Sequence, residues 1–525
     1  MIAGISHLVR LGHAGFVFAR EGVFALVDTR PLALPAKTAI AIARLFERPD
    51  TRSGGSRLAA ALTKLGPTYV KLGQFLATRP DVVGTVIARD LESLQDKMAP
   101  FPQEEAEAAV AAALDKPLST IYATFCPAVA AASIAQVHRA EIETSAGRKP
   151  VAVKVLRPGI ERRFKSDLDA FFFAARKAEA FSAEARRLRL IETVSTLARS
   201  VAIEMDFRLE AAAASEMAEN TKEDADFRVP TVDWDRTARE VLTLEWIDGV
   251  RLNDHGALEA KGFDPPALGR KVIQSFLRHA LRDGFFHADM HPGNLFVDDD
   301  ERLIAVDFGI MGRLGPKERR FLAEILFGFI TRDYQRTAQV HFDAGYVPRH
   351  HSVESFAQAI RAIGEPIHNR TAEDISMAKL LMLLFEVTGL FDMRTRPELL
   401  LLQKTMVVVE GVARGFDPRL DIWKTADPVV REWIERNLGP LGRIHGAMSG
   451  AGELGHLLSK LPEIANRAVT VLEQMEEMTR EGHLLSPDTI EELGRKEAKK
   501  ARLSTIALWI IAAASVGILI AVAHF

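Results

Sequence analysis

The stretch HADMHPGN at residues 287–294, followed after an apolar run by DFG at residues 307–309, decides how the rest of this chain is read. Asp289 precedes Asn294 by five residues, and Asp307 stands thirteen residues beyond Asn294. That interval leaves room for a short β-hairpin over residues 295–297 and 303–306. Such a hairpin aims an amide and a carboxylate at shared metal ions that can bridge phosphates. A competing reading uses alternation: on an extended strand His287, Asp289 and His291 would converge as metal ligands of a hydrolase. Pro292 and Gly293 favour a loop instead, and no other His/Asp cluster supplies a second half.

Upstream, VAVKV at residues 151–155 reads as a strand whose valines share one face, leaving Lys154 on the other with Ala152. The lysine, Asp-x4-Asn and DFG stand in the order of the protein-kinase catalytic apparatus. In that order Lys154 holds the α/β-phosphates of ATP, Asp289 orients the attacking hydroxyl or water, and Asn294 and Asp307 hold Mg²⁺.

Length and composition describe a folded chain with room for roughly two to four domains. The chain has 525 residues, 48% hydrophobic and 26% charged, and 67 Lys+Arg against 70 Asp+Glu give a formal charge of −3. Without a basic field, no nucleic-acid partner is expected. The single cysteine, Cys126, excludes an internal disulfide and fits a reducing compartment. Residues 505–523, TIALWIIAAASVGILIAVA, carry no ionisable side chain and as a helix would span ~28 Å, one bilayer crossing. Arg495, Lys496, Lys499, Lys500 and Arg502 precede that stretch, which places the catalytic part in the cytoplasm. No secretory signal is evident at the other end.

Polar, Gly-rich TRSGGS at residues 51–56 marks a boundary near residue 55, and Pro67 opens a helix on which Lys71 and Gln74 share a face. Helical sequence over residues 103–114 gives way to β-like runs at 135–140, 151–155 and 241–246, and helical periodicity returns from about residue 265.

Seven motifs in order now carry a resemblance to the UbiB family of atypical, protein-kinase-like proteins associated with ubiquinone biosynthesis. They are KLGQ (71–74), LQD (94–96), AAASIAQVH (130–138), VAVKV, EMDFRLEA (204–211), HADMHPGN and DFG, within about residues 60–440. The resemblance implies an α+β, bilobal protein-kinase-like fold with a helical N-terminal extension over residues 1–120. An N-lobe over 121–248, a C-lobe over 249–440, a helical linker over 441–504 and a transmembrane helix over 505–523 would complete it. In the family the KLGQ helices lie across the site where a protein substrate would dock, which makes Lys71 and Gln74 inward-facing regulatory residues.

Departures from an ordinary kinase have physical content. Ala130, Ala131, Ala132 and Ser133 stand where a Gly-rich loop would cover the phosphates, so methyl groups restrict the backbone and an altered nucleotide mode is expected. Ala288 replaces the arginine that reads activation-loop phosphorylation, and no A-P-E follows the DFG. Glu204, Asp206 and Glu210 are assigned to the helix that pairs with Lys154. Glu204 and Glu210 lie about 240° apart on one helix, so only one can meet the lysine. Glu210 is favoured, with Glu204 and Asp206 turned toward KLGQ, though the opposite assignment stays open. Backbone groups near Glu245 to Ile247 would hold adenine.

The expected protein is an ATP- and Mg²⁺-dependent kinase-like phosphotransferase or ATPase. It would be anchored to the bacterial inner membrane by one C-terminal span and would support ubiquinone biosynthesis. Expected partners are membrane lipid and hydrophobic quinone precursors or other quinone-biosynthesis proteins, and there is room for a homodimer. The acceptor stays open between water, a small molecule, lipid and protein. Competing readings are a nucleotide-binding pseudokinase scaffold and a 2-polyprenylphenol hydroxylase. The latter lacks both a dinucleotide-binding G-x-G-x-x-G and an evident haem or iron ligand set.

Overall fold

Val151, Val153 and Val155 are each at most 2% exposed, and they pack against Ala106 and Val110 of a helix lying on one face of a sheet. Each such side chain contributes roughly 1.5–3 kcal/mol of burial, so the strand that carries Lys154 is held from behind. The computed structural model describes residues 2–26, 34–48, 54–77, 98–181, 183–365, 389–393 and 397–439, together with residues 83, 87, 90, 91, 94 and 387.

The N-terminal layer consists of α1 (Ile2–Arg20), α2 (Leu34–Arg44), α3 (Gly54–Leu65) and α4 (Pro67–Ala77). Next come α5 (Gln103–Leu114), the single turn α6 (Leu118–Ile121), and strands β1 (Thr124–Ala131), β2 (Ala135–Thr144) and β3 (Gly147–Leu156). Helices α7 (Ile160–Phe181), α8 (Ala183–Arg187), α9 (Leu190–Glu204) and α10 (Phe207–Asn220) intervene before β4 (Phe227–Arg228), β5 (Val241–Glu245) and β6 (Val250–Arg251). The second half contains α11 (His255–Ala260), α12 (Pro265–Arg278), β7 (Phe285–His287), β8 (Leu295–Val297), β9 (Leu303–Ala305) and β10 (Met311–Arg313). It continues through α13 (Pro316–Thr331), α14 (Tyr334–Asp343), α15 (Val353–Gly364), α16 (Pro397–Phe416) and α17 (Ile422–Leu438).

Two lobes result. In the first, β1, β2, β3 and β5 form an antiparallel sheet in that order, and the tight β2–β3 hairpin closes with Thr144 opposite Gly147, whose φ is +109°. In the second, the predicted hairpin forms as β8 and β9, with Leu295 opposite Ala305. The core of the second lobe is built from α12, β7–β9, α16 and α17, with Phe276 and Phe286 packed edge to face. The boundary drawn at residue 248 is not clean, because β4 pairs parallel with β9 and lies in the sheet of the second lobe, order β4-β9-β8-β6.

The N-terminal helices share one apolar cluster with α7, α9 and the first-lobe residues Ala135, Leu156, Leu242 and Leu244. A polar anchor fixes them. Asp167 on α7 is 5% exposed and accepts from Thr68 Oγ1 and Arg10 Nη1, each at 2.7 Å. Gly66, at φ +99°, turns the chain between α3 and α4 at a backbone angle that side chains disfavour, and Pro67 then starts α4 as expected. Residues 54–56, read from the sequence as linker, already belong to α3.

No helix among the described residues is long and apolar enough to cross a membrane. The linker predicted over 441–504 and the span predicted over 505–523 lie outside the described residues.

Replacing Thr68 by Val removes one of two donors to buried Asp167 and should cost about 1–3 kcal/mol locally. Hydrogen exchange would show α4 amides exchanging faster with α12 unchanged, and equal α4 protection would refute this anchor.

Candidate active site

Lys154 reaches the cleft face of β3 and meets two carboxylates. Its Nζ lies 2.9 Å from both oxygens of Glu210 and 3.0 Å from Asp307 Oδ1, and the Phe207 ring sits 5.4 Å away. Glu210 belongs to α10, Asp307 to the loop after β9, so one ammonium ties both lobes together.

The electrostatics follow from this triangle. Burial opposes the Lys154 charge, but the Asp307 and Glu210 carboxylates outweigh it and raise the ammonium's pKa. Lys154 holds Asp307 well below the usual carboxylate range, against the effect of burial, and Lys71 adds to the depression. Glu210 goes the other way: burial pushes it up to about 7, and the charge of Asp307 reinforces burial against Lys154.

Glu204 and Glu210 are not on one helix. Glu204 ends α9, Met205 is the break, and Asp206 caps α10 by accepting from the Arg208 amide. The rotation of about 240° used to separate them on a continuous helix therefore does not apply. The structure nevertheless places Glu210 on Lys154 and Glu204 on Lys71, at 2.6 Å between Lys71 Nζ and Glu204 Oε2. Asp206 departs from its expected position beside KLGQ, because its carboxylate is taken by Arg208 at 2.7 Å and by the cap. The signal was present: an Asp directly before a hydrophobic residue is a helix N-cap. Gln74 lies half-buried on α4.

The catalytic-loop segment is organised by His287, which is 1% exposed. Its Nδ1 accepts from the Asp289 amide at 3.1 Å, which assigns the proton to Nε2, donating to the Val306 carbonyl at 3.1 Å. Burial lowers its pKa and keeps the ring neutral. With both ring nitrogens engaged it cannot ligate a metal, so the alternation of His287, Asp289 and His291 makes no metal site.

Asn294, 8% exposed, donates Nδ2 to the Asp289 carbonyl at 3.2 Å and approaches Asp289 Oδ2 at 3.5 Å. The arrangement orients the Asn294 amide oxygen, while the Asp289 carboxylate remains partly exposed. Asp307 holds φ +64°, a left-handed conformation that Asp tolerates better than most residues.

Ala130 and Ala131 end β1, and Ala132 and Ser133 lie in the turn that leads into β2. Ala130 stands opposite Val137, and Val137 opposite Lys154, so Ala130 and Lys154 share a cross-strand row two strand spacings apart, roughly 9.5 Å. Glu245, by contrast, is occupied. Its carboxylate pairs with Arg228 at 2.8 Å and accepts from Thr231, and its N–H donates to the Thr231 carbonyl, so that amide cannot serve an adenine. Ile247 lies half-buried in the connection from β5 to β6.

Three contributors escaped sequence reading. Phe207 backs Lys154, His287 fixes the loop, and Thr405 on α16 donates Oγ1 to the Ala288 carbonyl at 3.1 Å. Ala288 is 5% exposed. Thr405 lies 117 residues from it, with no local signal to connect them.

Comparisons with known proteins place the chain among kinase-like relatives. The ABC1 atypical kinase-like domain matches residues 93–341 and the UbiB helical domain residues 360–421. The chain is 38% identical over 472 residues to "Probable protein kinase UbiB" of Marinobacter nauticus, covering 89% of this chain and 86% of the relative. It is 39% identical over 441 residues to the protein of the same name from a Pseudomonas fluorescens strain, covering 82% and 80%. A solved structure described as the complex of Rv3197 with erythromycin from Mycobacterium tuberculosis is 23% identical, with TM-score 0.49, covering 76% of this chain and 98% of that one. The fold is kinase-like, mixing helix and sheet.

A carboxyl raised toward 7 binds its proton more tightly folded than unfolded, so its ionisation weighs against folding as pH rises through the interval from the ordinary value to about 7. Carboxylate-selective ¹³C NMR should show Glu210 titrating near 7 while Asp307 stays ionised at mildly acidic pH. Lys154→Met should move both values upward, and an unmoved Glu210 would contradict the triangle.

Proposed function

The chain belongs to the UbiB family of atypical kinase-like proteins, and from that premise we propose that it binds Mg-ATP between its lobes and turns it over in support of ubiquinone biosynthesis. The observation that carries the proposal is the convergence of Lys154, Glu210 and Asp307 opposite the Asp289–Asn294 loop.

The residues fit the cofactor. Asp307 and Asn294 offer the oxygen donors that a hard divalent cation prefers, and Lys154 is a fixed cation for phosphate oxygens. Mg²⁺, when bound, neutralises charge on the transferred phosphoryl group. Lys154, aligned by Glu210, would hold the α/β-phosphates. Asp289, partly exposed and with its backbone fixed by His287 and Asn294, would orient the attacking hydroxyl or water. Ile247 and the Glu245 carbonyl would face adenine, and residues 130–133, the end of β1 and the turn after it, would lie over the phosphates.

Lys71 and Glu204 would act as a regulatory pair, because α4 brings a cation near enough to Asp307 to contribute to its depression. With the KLGQ helix there, ATP hydrolysis coupled to handling of hydrophobic quinone precursors stands beside phosphorylation of a protein or small molecule as the reaction the site would run. The apolar stretch at 505–523 would hold the chain at the inner membrane, with the lobes in the cytoplasm.

Asp307→Asn should lower Mg-dependent ATP turnover by at least about 100-fold with the fold intact by circular dichroism. Unchanged hydrolysis by the purified variant would overturn the enzyme reading. Nucleotide binding without turnover in the unaltered protein would favour a scaffold. Deleting residues 505–525 should release the protein from membranes, and sedimentation of the truncated chain with them would assign anchoring to another surface.

A further inference from the structure

Away from the cleft three side chains converge that the kinase reading does not use, two from the segment between the matched domains and one from within the helical match. His350 and His351 end the loop before α15, and Asp392 lies in the loop preceding α16. His351 Nε2 is 3.3 Å and His350 Nε2 3.6 Å from Asp392 Oδ2, and one ligand atom from each residue lies within 4.8 Å of the others. Among the described residues this is the one such group of His, Cys, Asp or Glu.

The spacing suits a ligand set, while His351 Nε2 and Asp392 Oδ2 also lie within hydrogen-bond reach of one another. A charge-assisted N–H···O bond closes to about 2.7–2.9 Å, and both contacts are longer. Ligands about 2.0–2.1 Å from a tetrahedral zinc stand roughly 3.3–3.4 Å apart, the edge of the tetrahedron. The 3.3 Å contact matches that edge and the 3.6 Å contact lies slightly beyond it.

The site is also backed by packing. The His351 ring lies 5.2 Å from that of Phe391, which is 6% exposed and packs against Phe356 at 4.9 Å. Phe391 adjoins Asp392, so a single buried ring braces two of the ligands. On the other side Ser352 caps α15, its Oγ accepting from the Ser355 amide at 3.2 Å, which fixes the backbone next to His351.

We propose that His350, His351 and Asp392 bind a divalent transition metal, of which zinc is the best match to two imidazoles and a carboxylate. Three protein ligands leave a fourth position open to water or to an outside ligand. Because His351 and Asp392 are 41 residues apart, the ion would tie the segment that follows the kinase-like match to a residue inside the helical-domain match.

The test uses the full-length protein in detergent, stripped with chelator and kept in excess Mg²⁺ so that the cleft does not compete. Zinc titration by calorimetry should give one site that melts at a higher temperature when filled. Removing a direct ligand should cost at least what losing a supporting partner costs, about 10–100-fold in affinity. His350→Ala and Asp392→Asn, both on exposed side chains, should therefore weaken zinc binding at least tenfold and abolish the thermal shift. ATP turnover should stay unchanged. Cobalt loading should produce an intense visible d–d band, lost in His351→Gln. Absence of a zinc site in the unaltered protein, or equal binding by the His350→Ala, Asp392→Asn double variant, would overturn the proposal.

Discussion

Everything else in the cleft is arranged around the Lys154 ammonium. Among the described residues it touches a carboxylate from α10 and a carboxylate from the loop after β9, joining first-lobe strand β3 to both segments. Lys154 and Glu210 are mostly withdrawn from water, and breaking such a pair by removing one partner typically costs ~3–5 kcal/mol because the other charge stays buried. Without the lysine, Glu210 and Asp307 would face each other as like charges. The buried valines of β3, the cap at Asp206 and the Phe207 ring all serve to place that nitrogen.

The N-terminal helices extend the same electrostatic system. Lys71 finds its carboxylate on Glu204, two residues before the cap of the helix that carries Glu210. Position is transmitted across that short break: α4 grips the end of α9, and α10 begins where α9 ends. Asp167 anchors the layer with Thr68 and Arg10, so its attachment is polar at the centre and apolar around it.

Much of this was legible in the sequence, and the reasons differ by residue. Val151, Val153 and Val155 alternate, so both the strand and the side from which Lys154 emerges follow from a period of two. The Asp289, Asn294 and Asp307 spacing works because the β8–β9 hairpin is nearly all of what lies between them. Other features had no local signature. β1, reading TFCPAVAA with register shifts, lacks clean alternation. Thr405 meets Ala288 only through the packing of α16. The break at Met205 was readable in principle, yet the helical propensity on both sides concealed it. Arg228 and Thr231, which engage the Glu245 carboxylate and amide, have no local sequence signal that connects them to it.

The placement of β4 has a mechanical meaning. The chain passes from α10 into the second-lobe sheet at Phe227–Arg228, returns to the first-lobe sheet at β5, and crosses again into β6. Arg228 grips Glu245 across the return. The lobes are therefore joined by successive crossings rather than by a single connecting strand, and any change in their separation would have to be shared among those segments.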